Sequence, residues 1–284
     1  MLKQKSQSEY FANLLKTLVV EAGSMARHMR LDAKAEQKED FSVVTTADLA
    51  VSELVAGRLS NFLERDDHIL IDEETAHKLP TMAEVFSKDY QWVLDPIDGT
   101  APFFAGLPFY GVSLALLKKG EPWLGAVYLP ELDDLFWTDG KGNVMRQRGA
   151  KGASTPKALP LPTSKLFAHC PIVSSLSVIE HEHKINGYLI TTGSAVVDGV
   201  NACYSNVAGV LSRAKIWDNA ALFAFYKALG FKIEFIETKT EFTKFESACL
   251  NNEWWLKEPF IAALPENFDF IYKKIEYVST FKAA

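Results

Sequence analysis

The sequence predicts a mixed fold, an α+β or layered α/β architecture, and two patterns support this prediction. Between residues 110 and 137, short apolar runs alternate with turn signals, which is typical of a meander of strands. From residue 194 onwards, helical and strand patterns alternate. The chain has 284 residues, 48% apolar and 23% charged, which suits one large globular domain or two closely packed ones.

Two helices are predicted before residue 65. Apolar side chains recur at helical spacing across residues 8–30, which indicates an amphipathic helix. A polar stretch follows at 31–40, and residues 45–48 then have the hydroxyl and acidic side chains that are typical of a helix start. The apolar residues from there to Phe62 form one stripe, so we expect Asp48 to lie in the first turn of this helix.

Strands are predicted where short apolar runs end abruptly in acidic residues. Residues 68–71 are followed by Asp72, and residues 92–94 are followed by Asp95. Buried strands that deliver acids at their carboxyl ends can build a site on a rigid sheet. The predicted strands of the meander lie at 114–117, 123–129 and 135–137.

The stretch 140–162 is rich in Gly, Lys and Pro and has little periodicity. We therefore expect a loop there, and a boundary between two lobes. An apolar run at 166–173 opens the second half. The elements predicted after it are helices at 194–204 and 218–229, strands at 232–236 and 254–256, and an amphipathic segment near 268–275.

Charge and cysteine content exclude several classes of function. The net charge is 30 − 36 = −6, whereas a nucleic-acid binder is usually basic, so we expect no nucleic-acid partner. The three cysteines contain no CxxC pair, which argues against a disulfide framework and fits a reducing compartment. No signal peptide and no uncharged run of membrane-spanning length is visible. We expect a cytoplasmic protein without a membrane segment.

The hexapeptide 95–100 has the residues that a metal and phosphate site needs. Asp95 and Asp98 can face one point from a single tight turn, and carboxylates suit hard cations such as Mg²⁺. Gly99 would let the backbone approach a ligand, and Thr100 could cap a following helix. The alternative is a turn without chemistry. The spacing argues against an aspartyl-phosphate mechanism, because D-x-D-G-T phosphatases need acids two residues apart.

Two further acidic positions have both an ordinary and a functional explanation. Residues 72–74 are three adjacent acids that repel one another, which a bound cation would offset, although a solvated acidic loop is the alternative. Asp218 lies at the start of an apolar helix, where an acid commonly serves as a cap. Taken together with the hexapeptide, Asp218 is a plausible ligand from a distant part of the chain. Asp48 and the small-residue turn 193–195 are each most often caps.

Four motifs in this order resemble those of the inositol monophosphatase family, a group of Mg²⁺-dependent, lithium-sensitive phosphatases. They are the acid pair, W-V-x-D-P-I-D-G-T, G-S-A and W-D-x-A-A. The resemblance extends from about Leu14 to about Phe235. It implies a five-layered α-β-α-β-α sandwich that is often dimeric, with the site between two lobes. We place these lobes at 1–150 and 151–284, as parts of one catalytic unit.

The resemblance also implies roles for individual residues. The ligands of two or three Mg²⁺ ions would be Glu73, Asp95, the carbonyl of Ile97, Asp98 and Asp218. The residues that assist the metal shell or orient the attacking water would be Glu74, Asp48 and Thr100. The phosphate and substrate would contact Gly99, Thr100, Gly193, Ser194 and Ala195.

Departures from the family pattern bear on the substrate. The family commonly has Gly where this chain has Asp72 and Leu222. Inositol-specific members have an acid seven residues before the last metal-binding Asp, and an ungapped count gives Leu211 here. These departures argue against inositol itself as the substrate and leave the phosphatase chemistry unaffected. We predict hydrolysis of a small phosphorylated metabolite, inositol or another sugar or polyol monophosphate, by a metal-activated water. A 3′-nucleotide (3′-phosphoadenosine 5′-phosphate) and histidinol phosphate remain alternatives, and a non-catalytic regulatory binding protein is the alternative of another class.

Overall fold

The computed structural model describes residues 6–30, 35–37, 43–152, 154–181 and 183–277. Within these ranges, two large sheets alternate with three layers of helices. This arrangement confirms the predicted α+β class and the five-layered sandwich that the family resemblance implies. No helix in the described ranges is long and apolar enough to cross a membrane.

The helices and strands have the following bounds. The helices are α1 Gln7–Met29, α2 Thr46–Leu63, α3 Met82–Ser87, α4 Thr100–Phe104, α5 Leu176–His181, α6 Ala195–Ala202, α7 Ile216–Ala228 and α8 Phe268–Tyr272, with short 3₁₀ helices at Ala76–Lys78 and Pro265–Asn267. The strands are β1 Ala35–Gln37, β2 Val43–Thr45, β3 His68–Asp72, β4 Tyr90–Asp98, β5 Gly111–Lys118, β6 Glu121–Leu129, β7 Asp134–Thr138, β8 Val144–Arg148, β9 Lys157–Ala158, β10 Ile172–Ser174, β11 His183–Ile185, β12 Leu189–Ile190, β13 Val210–Ser212, β14 Lys232–Phe235, β15 Phe260–Ala263 and β16 Ile275–Tyr277.

The seven-stranded sheet follows chain order from β3 to β9, and it contains the predicted meander. Strands β3 and β4 are parallel, and every later pair is antiparallel. Side chains of β4 alternate between the two faces, so Trp92 and Leu94 pack towards α1 and α2 while Val93 packs towards the molecule's centre. The same alternation directs Asp95 towards the central helical layer.

Helices α1 and α2 cover the outer face of this sheet. The hydroxyl of Ser6 accepts the amide N–H of Glu9, and the Glu9 carboxylate accepts the Ser6 amide, so a capping box begins α1. Its apolar stripe, which includes Leu15 and Val19, packs against β5 and β6. Helix α2 begins at Thr46 and has Asp48 in its first turn, as predicted.

Helices α6 and α7 form the central layer between the two sheets. Almost all of α7 is buried, because one of its sides faces the seven-stranded sheet and another faces β14 and α6. Gly199 of α6 meets Leu222 of α7 so closely that a Cβ on Gly199 would lie 2.2 Å from Leu222 Cδ1. Leu222, where this chain departs from the family pattern, therefore packs between helices α6 and α7.

The second sheet has the strand order β12-β10-β13-β15-β14. Strand β10 pairs in parallel with β12 and β13, and the pairs of β15 with β13 and β14 are antiparallel. Helices α5 and α8 cover its outer face, where Val178 and Ile271 join the core around Leu211 and Ile261. Two short pairs, β1 with β2 and β11 with β16, lie outside the large sheets.

Three predictions about elements are corrected by the structure. The stretch 140–162 is not only a loop, because β8 and β9 extend the sheet there. Arginines at alternate positions hid this strand: Arg146 forms an ion pair with Asp134, and its guanidinium lies 4.0 Å from the Tyr204 ring centre. No strand forms at 254–256, where Trp255 and Leu256 make isolated bridges, and the apolar run 166–173 becomes strand only at β10. The lobe boundary near residue 150 stays a prediction.

Candidate metal centre

Three buried or half-buried carboxylates converge where β4 meets α7. Asp95 and Asp98 lie near the carboxyl end of β4, and Asp218 lies in the first turn of α7. One oxygen from each carboxylate lies within 4.8 Å of the others. The pairing of β4 with β5 is irregular between Asp95 and Asp98, and this shift lets two acids of one strand reach the same point. The structure therefore brings together three of the predicted metal ligands.

Asp95 is the most deeply buried of the three, with 1% of its surface exposed. Its Oδ1 is fully buried and accepts no hydrogen bond from the described part of the protein. Burial, followed by the negative charge of Glu73, raises the pKa of Asp95 well above its ordinary value. A buried oxygen without a partner is costly, and a cation would supply that partner. The donor set is all oxygen, as hard divalent cations prefer.

Asp98 is held in place by the beginning of α6. The Ser194 hydroxyl donates to Asp98 Oδ2, and the Val196 amide donates to the same oxygen at 2.8 Å. Burial and the nearby Asp218 charge raise the pKa of Asp98 to about 8, although both hydrogen bonds favour the ionised form. Ser194 also caps α6 by accepting the Val197 amide at 3.1 Å. Within the predicted substrate turn, this hydroxyl therefore serves to position Asp98.

Asp218 combines the two explanations that its sequence position offered. Its Oδ2 accepts the Lys215 amide at 2.8 Å, which closes the first turn of α7. It also contributes one oxygen to the carboxylate trio. Burial and the Glu73 charge raise the pKa of Asp218 to about 6. The Asp218 side chain thus caps the helix and also occupies a predicted ligand position.

Glu73 lies outside the close trio but acts on it electrostatically. It follows β3, and its charge raises the pKa values of Asp95 and Asp218. Lys215 Nζ lies 3.6 Å from Glu73 Oε1 and over the rings of Trp217 and Trp255, at 5.1 and 5.8 Å from their centres. A lysine therefore balances part of the negative charge at this edge.

One charge of the acidic loop 72–74, that of Asp72, is offset by hydrogen bonds and needs no cation. The Asp72 carboxylate is buried and accepts the Ser52 hydroxyl at 3.0 Å, the Thr75 hydroxyl at 3.2 Å and the Glu74 amide at 3.3 Å. Burial raises the pKa of Asp72, while these hydrogen bonds act in the opposite direction. Asp72 thus ties the acidic loop to α2. Its place after an apolar run gave the only sequence signal for this role.

The turn after Asp98 differs from its prediction in one respect. Gly99, not Thr100, is the N-cap of α4, and it has a φ of 85°, which glycine adopts without strain. A Cβ on Gly99 would lie 2.7 Å from the Phe109 carbonyl oxygen. The Thr100 hydroxyl donates to the Ile97 carbonyl oxygen at 3.1 Å instead of capping the helix. Asp48 is buried at the start of α2, and its predicted pairing with Thr100 stays a prediction, as does the role of Glu74.

A cleft of about 180 Å³ opens beside the trio. Its lining includes five predicted site residues: Asp98, Gly193, Ser194, Ala195 and Asp218. The lining residues that the sequence did not predict include Ser175, Ser177, Thr191, Asp198, Arg213 and Trp255. Arg213 lies only five residues before Asp218, which is the signal that could have found it. A larger cavity of about 280 Å³, between Phe223 and Phe242, contains none of the predicted site residues.

Comparison with known proteins extends this description. The sequence model of the inositol monophosphatase family matches residues 7–268. A fructose-1,6-bisphosphatase/inositol-1-monophosphatase from Aquifex aeolicus is 35% identical over 36% of this chain and 36% of its own length. A histidinol-phosphatase from Streptomyces coelicolor is 32% identical over 61% of this chain and 62% of its own length. The chain thus spans less than two thirds of either relative.

A similar fold is found among solved structures. The crystal structure of a staphylococcal inositol monophosphatase-1 superposes with a TM-score of 0.73 at 18% identity. The superposition covers 95% of this chain and 96% of that chain. At this identity, the likeness shows a shared fold.

We predict that Asp72 stabilises the protein through its hydrogen bonds. Asp72→Ala removes three hydrogen bonds and leaves the buried Ser52 hydroxyl without its acceptor, so the free energy of unfolding should fall by about 1–3 kcal/mol. Asp72→Asn keeps an acceptor for Ser52 and removes the buried charge, so its effect should be below about 1 kcal/mol. Urea unfolding in EDTA measures both variants. An Asn variant as unstable as the Ala variant would contradict this explanation.

We also predict that the metal-free protein loses stability as pH rises. The folded-state pKa values of Asp98 (about 8) and Asp218 (about 6) exceed the ordinary value of 3.8, so the folded state binds more protons than the unfolded state. The stability that protonation contributes is complete below about pH 4 and is lost progressively up to about pH 8. A cation needs the ionised carboxylates, so Mg²⁺ should raise the melting temperature more at about pH 8.5 than at about pH 5.5.

Thermal melts in EDTA and in Mg²⁺ at both pH values test this prediction. Asp98→Asn should flatten the pH dependence in EDTA, because it removes the group whose pKa is raised to about 8. The opposite trend, or an equal Mg²⁺ effect at both pH values, would show that these carboxylates do not control the stability.

Proposed function

The chain belongs to the inositol monophosphatase family, and from this premise we propose that it is a Mg²⁺-dependent phosphoric monoester hydrolase. The observation that supports the proposal most directly is the convergence of Asp95, Asp98 and Asp218 beside a cleft. Three acids at one point repel one another, and one of them has a buried oxygen without a hydrogen-bond partner in the described part of the chain; a cation would offset both costs.

The proposed ligands are Glu73, Asp95, the Ile97 carbonyl, Asp98 and Asp218, which together would hold two or three Mg²⁺ ions. The Ile97 carbonyl accepts the Thr100 hydroxyl, and a carbonyl oxygen has a second lone pair for a cation. When bound, the ions would supply positive charge for the phosphoryl oxygens and would acidify a water molecule. Li⁺ inhibition belongs to the same proposal.

The chain's own residues would orient the reactants. Asp98 is fixed by two donors from α6 and Asp218 by the amide of Lys215, so neither carboxylate has to reorganise when the cation binds. Thr100, with Asp48, is proposed to hold the attacking water and to accept or relay its proton. The backbone N–H groups of Gly99 and Thr100 are proposed to contact the phosphate, and Glu74 to assist the metal shell.

A small phosphorylated metabolite is the proposed substrate. The cleft of about 180 Å³ is below the roughly 300–1,000 Å³ typical of sites that enclose drug-sized ligands, which favours a sugar or polyol monophosphate over a nucleotide. The relatives' names, fructose-1,6-bisphosphatase/inositol-1-monophosphatase and histidinol-phosphatase, refer to small phosphorylated metabolites. A cytoplasmic homodimer is proposed as well. Phe104 and Leu107, next to the turn 98–100, expose 55% and 47% of their surfaces and could contact a second copy.

We predict that the activity depends on Asp95. Phosphate release from a panel of monophosphates in Mg²⁺ should be abolished by EDTA and reduced by Li⁺, and Asp95→Asn should lower it by about a hundredfold or more, because a proposed ligand is lost. Asp89→Asn, the same change at a half-exposed carboxylate that pairs with Lys119, is the matched control and should have no effect. No phosphate release from any compound would favour the non-catalytic binding protein.

We predict that the Thr100 hydroxyl affects turnover rather than metal binding. Thr100→Val should lower kcat by about 10²–10⁴-fold, the usual contribution of a proton-transfer group. The Mg²⁺-induced rise in melting temperature should persist in this variant, because the acids remain. Thr100→Ser keeps the hydroxyl and should recover most of the activity. A Val variant that loses the Mg²⁺ effect together with its activity would assign Thr100 to the metal shell instead.

A further inference from the structure

Lys215 lies at an unusual place for a lysine, the N-cap of α7. The N-terminal end of a helix carries partial positive charge, and the side chains that stabilise it are Ser, Thr, Asp and Asn. The cap is made instead by the Asp218 carboxylate, which accepts the Lys215 amide at 2.8 Å. A lysine ammonium has no lone pair with which to accept a helix N–H. Helix stability therefore does not explain the positive charge at this position.

The Lys215 side chain extends towards Glu73. Its Nζ lies 3.6 Å from Glu73 Oε1, and the two side chains are only 25% and 22% exposed. The ammonium also lies over the rings of Trp217 and Trp255, which attract a cation and restrict the lysine stem. Water and salt screen such a partly buried pair less than they screen an ion pair on the surface.

Glu73 differs from the other proposed carboxylate ligands in its position and in its partner. Among the described residues, the close group of carboxylates consists of Asp95, Asp98 and Asp218, and Glu73 lies outside it. Backbone amides already hold Asp98 and Asp218 in place. Glu73 is paired with the ammonium of Lys215, so it must exchange this partner before it can complete a metal shell.

We propose that Lys215 is an intramolecular competitor of the metal ion, which pairs with Glu73 in the metal-free protein and thereby sets the Mg²⁺ concentration at which the site fills. The inference rests on the proposed function, because it takes Glu73 and the three neighbouring acids as ligands. A tethered ammonium offsets part of the repulsion among these acids while no cation is bound. The same ammonium weakens cation binding, because a protein whose ligand is engaged elsewhere is only partly competent to bind.

A Mg²⁺ titration of the purified full chain without substrate, followed by calorimetry, tests the proposal. Lys215→Met keeps an unbranched stem over the two tryptophan rings and removes the charge. Its Kd for Mg²⁺ should be about three- to tenfold lower than that of the natural protein, the range expected for a partly buried ion pair. Lys215→Arg keeps the charge and should bind Mg²⁺ as weakly as the natural protein. A Met variant with unchanged or weaker Mg²⁺ binding overturns the proposal.

Thermal melts separate competition from a purely structural role of the lysine. In EDTA, Lys215→Met should melt at a lower temperature than the natural protein, because Glu73 loses its counter-charge. In saturating Mg²⁺ this difference should disappear, since the cation then takes the place of the ammonium. An equal loss of melting temperature in EDTA and in Mg²⁺ would show that Lys215 only supports the fold.

A double-mutant cycle shows whether Lys215 acts through Glu73. Glu73→Gln removes the carboxylate that Lys215 holds, so Lys215→Met should tighten Mg²⁺ binding much less in this background. A full gain of affinity in the Glu73→Gln background would indicate general repulsion of the cation and overturn the competition for Glu73. Lys227→Met is the matched control: Lys227 lies near the other end of α7 and pairs with Glu121 at 3.5 Å, and its loss should leave the Mg²⁺ affinity unchanged.

The outcomes separate this inference from the proposed function. If the natural protein binds Mg²⁺ and Lys215→Met binds it no more tightly, the role of Lys215 is wrong and the phosphatase proposal stands. A Met variant with unchanged Mg²⁺ affinity and a raised KM for a phosphomonoester would assign Lys215 to substrate binding instead. No Mg²⁺ binding by the natural protein or by any variant overturns both proposals.

Discussion

The proximity of like-charged carboxylates between the two large sheets is the constraint on which the rest of the structure depends. Asp95 is almost fully buried, and Asp98 and Asp218 lie within a few ångströms of it. Folding alone does not favour such a cluster, because burial and mutual repulsion both disfavour the ionised forms. Several elements must therefore hold the acids together against their own electrostatics. The hydrogen bonds that hold the acids come from the beginnings of α6 and α7.

The hydrogen bonds that hold these acids join the first and second halves of the chain at the site. Asp98 belongs to the first sheet, but its donors are the N-cap Ser194 and the first-turn residue Val196 of α6, in the second half of the chain. Asp218 is fixed by the first turn of α7, which packs on both sheets. No residue of the described ranges donates to Asp95 Oδ1, so this oxygen is left to accept a ligand. A preorganised shell with one unsatisfied buried oxygen is the arrangement expected of a cation site.

Much of the fold and of the metal centre could be predicted because local patterns there agree with the tertiary structure. The stripe of α1, the meander and the acids at the carboxyl ends of β3 and β4 follow from periodicity and abrupt changes of polarity. Strand β8 could not be found in this way, since Arg146 packs its guanidinium group over the rings of Phe136 and Tyr204 at a position where an apolar residue would have shown the period. The role of Asp72 depends on Ser52, twenty residues away, and spacing alone does not show such a contact. Arg213 was missed because counting residues fails where a strand ends and the chain turns.

The charges of the metal centre and of Arg213 belong to one electrostatic arrangement. Without cations, the four acids dominate the local field and would repel any phosphorylated ligand from the cleft. Two divalent ions would balance the four carboxylates of Glu73, Asp95, Asp98 and Asp218, so that the field in the cleft would then depend on the fixed basic groups. Lys215 is paired with Glu73, and Arg213 is one of the residues that line the cleft. The sign of the electrostatic potential in the cleft thus depends on whether the cations are bound. An anionic ligand would bind only to protein that already holds its ions.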